Sequence, residues 1–88
     1  MAWVVELSDT AARAIERLDR SAARRILAFL RDRVATAEDP RRIGRSLVGT
    51  RRGLWRYRVG DHRLICEIQD NRTVVLVVTV GHRREVYR

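Results

Sequence analysis

The sequence predicts an α+β domain of order β-α-α-β-β-β, with its helices on one face of an antiparallel sheet. Two observations carry this. Residues 8–37 repeat their apolar positions at helical spacing, whereas residues 54–80 hold three short strand signals separated by Gly-Asp and Asp-Asn turn signals. Helices grouped before strands indicate α+β, not the alternation of an α/β fold.

The first element is "WVVEL" (3–7), β-branched and apolar, a short strand. In "SDTAARAIERLD" (8–19), Ser8 or Asp9 can cap a helix whose Ala11, Ile15 and Leu18 share one side. Asp19 or Ser21 caps the next, "SAARRILAFLRDRVATA" (21–37). Ala23, Ile26, Leu27, Leu30 and Val34 form its apolar stripe, with Arg24, Arg31 and Asp32 facing water. Hardly a residue separates the two helices, so an antiparallel hairpin is expected. Asp39 precedes Pro40 and is pushed out of the α region, which ends the second helix. "RRIGRSLVGTRRG" (41–53), punctuated by glycines, reads as a loop with room for one helical turn.

The meander follows. In "LWRYRV" (54–59), Trp55, Tyr57 and Val59 point one way, Arg56 and Arg58 the other. "GD" (60–61) is a hairpin turn. In "HRLICEIQ" (62–69), Leu64, Cys66 and Ile68 share one face and Arg63, Ile65 and Glu67 the other. "TVVLVVTV" (73–80) is apolar on both faces, as a central strand is. Helices are expected over Trp55, Tyr57, Leu64, Cys66 and Ile68.

Eighty-eight residues suit one domain, residues 1–88. The single cysteine cannot form an internal disulfide, which suits a reducing cytoplasm. The start "MAWVVELSD" does not have the form of a signal peptide, and no stretch approaches a membrane span. Two histidines and one cysteine at no ligand spacing predict neither metal nor cofactor.

Charge is the informative quantity. The net charge is +8 and every basic residue is arginine. Residues 1–40 balance seven Arg against seven acids, while residues 41–88 set twelve Arg against four. A field segregated in this way attracts a polyanion, either nucleic acid or an acidic protein, and the guanidinium fork matches phosphate. The pleat puts Arg56 and Arg58 on one face, and Arg63 can join them across the turn. His82, Arg83 and Tyr87 emerge at the C-terminal edge of the last strand, so if the strands run in sequence order all these groups are expected to converge on one concave surface. Trp55 and Tyr57 share a face with Val59 and read as core, and His62 reads as a surface or packing residue beside the turn.

The blocks "LWRYRVGDHRLICEI" and "VVLVVTVGHRREVY", with "LSDTAARAIERLD" and "DPRRIGRSLVG" in the right order before them, resemble the RelE/ParE superfamily of type II toxins, on the RelE side, over essentially the whole chain. The resemblance implies a ribosome-dependent endoribonuclease that cuts mRNA without metal, held inactive by a cognate RelB-like antitoxin in a hetero-oligomer. The ribose 2′-hydroxyl attacks the adjacent phosphate. It also implies roles. Arg63 matches a phosphate clamp, Arg83 a clamp or proton donor, and Tyr87 an aromatic that stacks on or orients the substrate. Arg56 and Arg58 stand where the best-known member has two lysines. Arginine holds its proton at ordinary pH, so both are expected to bind RNA as clamps, with Arg84 beside them. His82, a residue type that titrates near neutrality, is then the expected base, with Tyr87 as its competitor. Many relatives continue into a C-terminal helix where this sequence ends at Arg88, so the surface under that helix is expected to be open or covered by the antitoxin. The alternatives are a ParE-like gyrase inhibitor on the same fold and a degenerate toxin that only binds its antitoxin.

Overall fold

The computed structural model describes residues 2–49 and 52–84. A five-stranded sheet runs in the order β1 (Val4–Leu7), β5 (Val74–His82), β4 (His62–Gln69), β3 (Trp55–Val59), β2 (Arg45–Ser46). β1 joins β5 in parallel, and the other pairs are antiparallel. The apolar run of residues 73–80 is therefore an interior strand, as its composition requires.

Two helices, α1 (Asp9–Arg17) and α2 (Arg20–Phe29), cover one side. Ser8 caps α1 and Asp19 caps α2, each side chain accepting a backbone N–H. The second helix is shorter than its apolar stripe suggests. From Leu30 to Val34 it widens into a π-helical turn, with Ala35 N donating to Leu30 O at 2.9 Å. Ile26, Leu30 and Val34 still face the core, since positions four apart stay on one side through the transition. The segment read as a loop holds a 3₁₀ turn (Pro40–Ile43) and β2, a two-residue strand.

The core lies between helices and sheet. Ala11, Ile15, Ile26, Leu30 and Val34 meet Tyr57, Val59, Leu64, Cys66, Val75, Val77 and Val80. Of the residues expected there, Tyr57, Leu64 and Cys66 are fully buried, while Trp55 and Ile68 are half-buried at the rim. Tyr57 satisfies its hydroxyl by donating to Pro40 O at 2.8 Å. Burial raises its phenol pKa above the ordinary value and pushes the Cys66 thiol up to about 12.

One irregularity positions the site. Cys66 pairs with Val77 but Ile65 pairs with Thr79, so Val78 is an extra residue in β5. Ser8 holds this β-bulge. Its N–H donates to Val77 O at 2.9 Å and its hydroxyl donates to Val78 O at 2.6 Å, while the same oxygen accepts from Ala11 N. A bulge reverses the side-chain alternation of everything beyond it.

Candidate nucleic-acid interface

The face away from the helices collects the arginines through strand register. Arg58 stands directly opposite Arg63, and Arg45 directly opposite Arg56. Residues so paired share a face, and like charges placed this way repel. Two such pairs stand side by side on this face. Ile65, 1% exposed, gives this face its apolar floor between Arg56 and Thr79.

Arg63 is itself buried. Its Nη1 donates to Gly60 O at 3.1 Å and His62 O at 3.0 Å, so the β3–β4 turn fixes its guanidinium. Gly60 takes a positive φ of 60° in that turn. Arg58 is exposed and Arg56 half-buried. Opposite Arg63 in β5 lies Gly81, the one position of that row without a side chain. Arg83 follows, its N–H donating to Asp61 O at 2.9 Å, which continues the β4–β5 ladder past Gly81. Arg83 and Arg84 are exposed. Tyr87 and Arg88 lie outside the described residues, as does Arg51.

His82 is a correction. It was expected on the arginine surface, yet it pairs with His62 across β4–β5, on the side of Val80 and Leu64. The bulge at Val78 is the reason. Counting evenly from Val75 and Val77 sends residue 82 to the open face, and the extra residue sends it to the helix side instead. There His82 meets His62 edge-on, ring centroids 6.1 Å apart, in a cavity shared with Ala14, Arg17 and Leu18. Its Nδ1 accepts from Arg84 N at 3.3 Å. The structure brings Arg45, Arg56, Arg58 and Arg63 to one face and leaves His82 off it.

Sequence reasoning missed the other cations of this edge. A notch of about 370 Å³ is lined by Phe29, Arg33, Arg42, Ile43, Gly44, Arg45, Arg56 and Arg58. Gly44 makes it possible. A Cβ there would stand 2.8 Å from the Tyr57 ring and 3.0 Å from Arg56 O, so only glycine lets residues 42–45 lie this close to β3. The signal was present in "RRIGR", a glycine flanked by arginines.

The fold and site define a small α+β protein with helices on one face of a five-stranded sheet and opposed arginines on the other. Comparison with known proteins names the family: the chain belongs to the ParE toxins of type II toxin–antitoxin systems, whose family model matches residues 5–87. It is thus a type II toxin of the RelE/ParE superfamily. It is 28% identical to Toxin RelG of Mycobacterium tuberculosis over 88 residues, all of this chain and 99% of that protein. Its fold is similar to that in the toxin–antitoxin complex RelBE2 of M. tuberculosis, with a TM-score of 0.86 and 26% identity over 94% of this chain and all of that one. It is also similar to the archaeal RelE–RelB complex of Pyrococcus horikoshii OT3, with a TM-score of 0.73 and 25% identity over 98% of this chain and all of the other. Among the described residues no helix is long and apolar enough to cross a membrane.

Proposed function

We propose that this toxin is an endoribonuclease that cuts translated mRNA. The observation that carries the reading is the row formed by Arg58 and Arg63, directly opposed on the open face, with Arg83 beyond Gly81 at the end of the same ladder. Guanidiniums from three segments are what a crowded phosphorane requires. The ribose 2′-oxygen forms a bond to phosphorus as the phosphorus–O5′ bond breaks, leaving a 2′,3′-cyclic phosphate and a 5′-hydroxyl. With Arg56 and Arg58 permanently charged and His82 on the helix side, Tyr87 is the remaining acceptor for the 2′-hydroxyl proton. Arg83 returns a proton to the departing 5′-oxygen. A guanidinium is a stronger acid than an alcohol, so the transfer runs downhill. Arg63 holds the non-bridging oxygens from its fixed position under the turn.

The partner is an antitoxin of the RelB kind. A domain with net charge +8 and apolar side chains exposed at β1 and in the β2–β3 loop, Val4 at 57% and Val48 at 84%, favours an acidic amphipathic segment that adds to the sheet edge or crosses the arginine face. Co-purification with a small acidic protein supports this.

The test is primer extension on a translated message after induction. Wild type is expected to give cuts in the ribosomal A site, and Arg83→Ala to abolish them. One observation favours a second reading: the matching family model is that of ParE. Under that reading the arginine face binds gyrase, and induction accumulates gyrase–DNA cleavage complexes with the message left whole.

A further inference from the structure

The notch at the β3 edge extends past the row proposed to hold the scissile phosphate and shares Arg58 with it. β2 covers only Trp55 and Arg56, so the outer edge of β3 is bare from Tyr57 to Val59, and the cavity sits there. Arg33 reaches it from the π-helical turn, Arg42 and Arg45 from either side of Gly44, Arg56 and Arg58 from β3. Among the described residues no carboxylate lines it. The contrast with its neighbours is sharp. Arg41 is held by Asp39 and Asp70, Arg31 by Asp32 and Arg72 by Glu6, whereas among the described residues no carboxylate lies within salt-bridge distance of Arg33, Arg42, Arg45 or Arg58. Arg33, Arg42, Arg45 and Arg58 are thus gathered around one hollow. Their mutual repulsion makes the hollow a site for an anion. Phe29 and Ile43 supply an apolar wall suited to a ribose or base.

We propose that this notch is a second phosphate-binding site, which takes the backbone of the RNA strand beyond the scissile phosphate. This rests on the ribonuclease reading and extends it. Arg58 belongs both to the notch and to the row that holds the scissile phosphate. Strands lie about 4.8 Å apart, so the line from Gly81 through Arg63 and Arg58 to the β2 edge spans about 15 Å, enough for a strand to run from one site into the other. The continuity favours a polynucleotide over an isolated anion, and the apolar wall favours a nucleotide over inorganic phosphate.

The experiment measures binding of the full chain to non-cleavable 2′-O-methyl RNA, a short oligonucleotide and a dinucleotide, across a salt series. The triple variant Arg33→Gln, Arg42→Gln, Arg45→Gln changes three exposed side chains. It is expected to weaken oligonucleotide binding about tenfold and to lower the salt slope by about 1.4, two single-strand phosphate contacts at roughly 0.7 each. The dinucleotide, too short to reach the notch, is expected to bind as before. A charge-matched control, Arg13→Gln, Arg20→Gln, Arg24→Gln, on the far side of the helices, is expected to change affinity under about twofold. Unchanged oligonucleotide affinity and slope in the first variant overturn the site and leave the nuclease reading to the Arg83→Ala test. An equal loss in the control also overturns it, since only the general field would be acting. A loss of antitoxin affinity with RNA affinity intact overturns it in favour of a carboxylate-docking surface. Oligonucleotide binding through these three arginines in a protein that cuts no message supports the site and removes the nuclease reading. Absence of any RNA binding by wild type removes both.

Discussion

On the side of the sheet that α1 and α2 cover, Tyr57, Leu64, Cys66, Val75 and Val77 are fully buried and the Tyr57 hydroxyl is paired. On the other side of the same strands, often at the next residue, Arg56, Arg58 and Arg63 stand against Ile65 and one another. One backbone thus carries two environments of opposite logic. The covered side is complementary within itself and gains stability from every contact. On the open side Arg58 stands directly opposite Arg63, a like-charge pair that opposes folding. The excess charge of residues 41–88 and the strand alternation of residues 54–69 are the same feature seen at two scales.

Separating the two sides by mutation should give the largest effects. Arg58→Gln is expected to lower cleavage about 10²–10³-fold, the usual consequence of removing one transition-state donor. It should also leave the urea midpoint unchanged or raise stability by up to about 1 kcal/mol, because it relieves the like-charge pair with Arg63. Arg63→Gln should lose activity similarly but also lose about 1 kcal/mol, since the part-buried carbonyls of Gly60 and His62 lose their donor. Activity by primer extension and stability by urea melts, measured on both variants, tell a purely functional arginine from one that is also structural. Equal stability losses in the two would erase the distinction drawn here.

How much of this was legible depended on whether a residue's face shows in its own neighbourhood. β3 and β4 alternate cleanly, so Arg56, Arg58 and Arg63 were readable as one face and Tyr57, Leu64 and Cys66 as the other. The caps Ser8 and Asp19 were readable because a helix start has local chemistry. β2 was not, since two residues hold no period and their pairing with Trp55 and Arg56 is a tertiary fact. The π-helical turn was hidden because Ile26, Leu30 and Val34 repeat every four residues in either helix type. The bulge at Val78 was invisible for a different reason. Apolar on both faces, residues 74–80 give no alternation to lose, so nothing in the pattern shows where the register skips. The notch needed Arg33 and Arg45, far apart in sequence, to meet at an edge that only the topology creates.

The covered side should also be the one that responds to pH. Burial pushes the Cys66 thiol up to about 12 and raises the Tyr57 phenol above its ordinary range, while an unfolded chain has a thiol near 8.5 and a phenol near 10. The unfolded state then gives up these protons first, and the folded state holds more of them. The stability owed to the neutral groups is complete below about pH 8.5 and is lost as pH rises toward 12. The urea midpoint of wild type is expected to be flat from pH 7 to 8.5 and to fall steadily above. Cys66→Ala should start lower by about 1 kcal/mol, for the small cavity, and fall less steeply between pH 8.5 and 10. A parallel fall in both would show that the thiol is not the group responsible.

The smallest effect is expected at His82, and it tests the bulge most directly. If β5 ran without the extra residue, His82 would join the open face beside the arginines and Arg83 would turn toward the helices. With Val78 inserted and its carbonyl held by Ser8, the positions exchange, and His82 sits against His62 in the hollow beneath α1. His82→Gln keeps a polar side chain of similar reach but removes the imidazole. It is expected to change the cleavage rate under about threefold and to leave its pH profile intact, because proton transfer needs hydrogen-bond reach of the 2′-hydroxyl and His82 lies through the sheet from it. Removal of a step near pH 6–7 from that profile would mean that β5 realigns when RNA binds, bringing residue 82 onto the arginine face, and the assignment of Tyr87 as proton acceptor would fall with it.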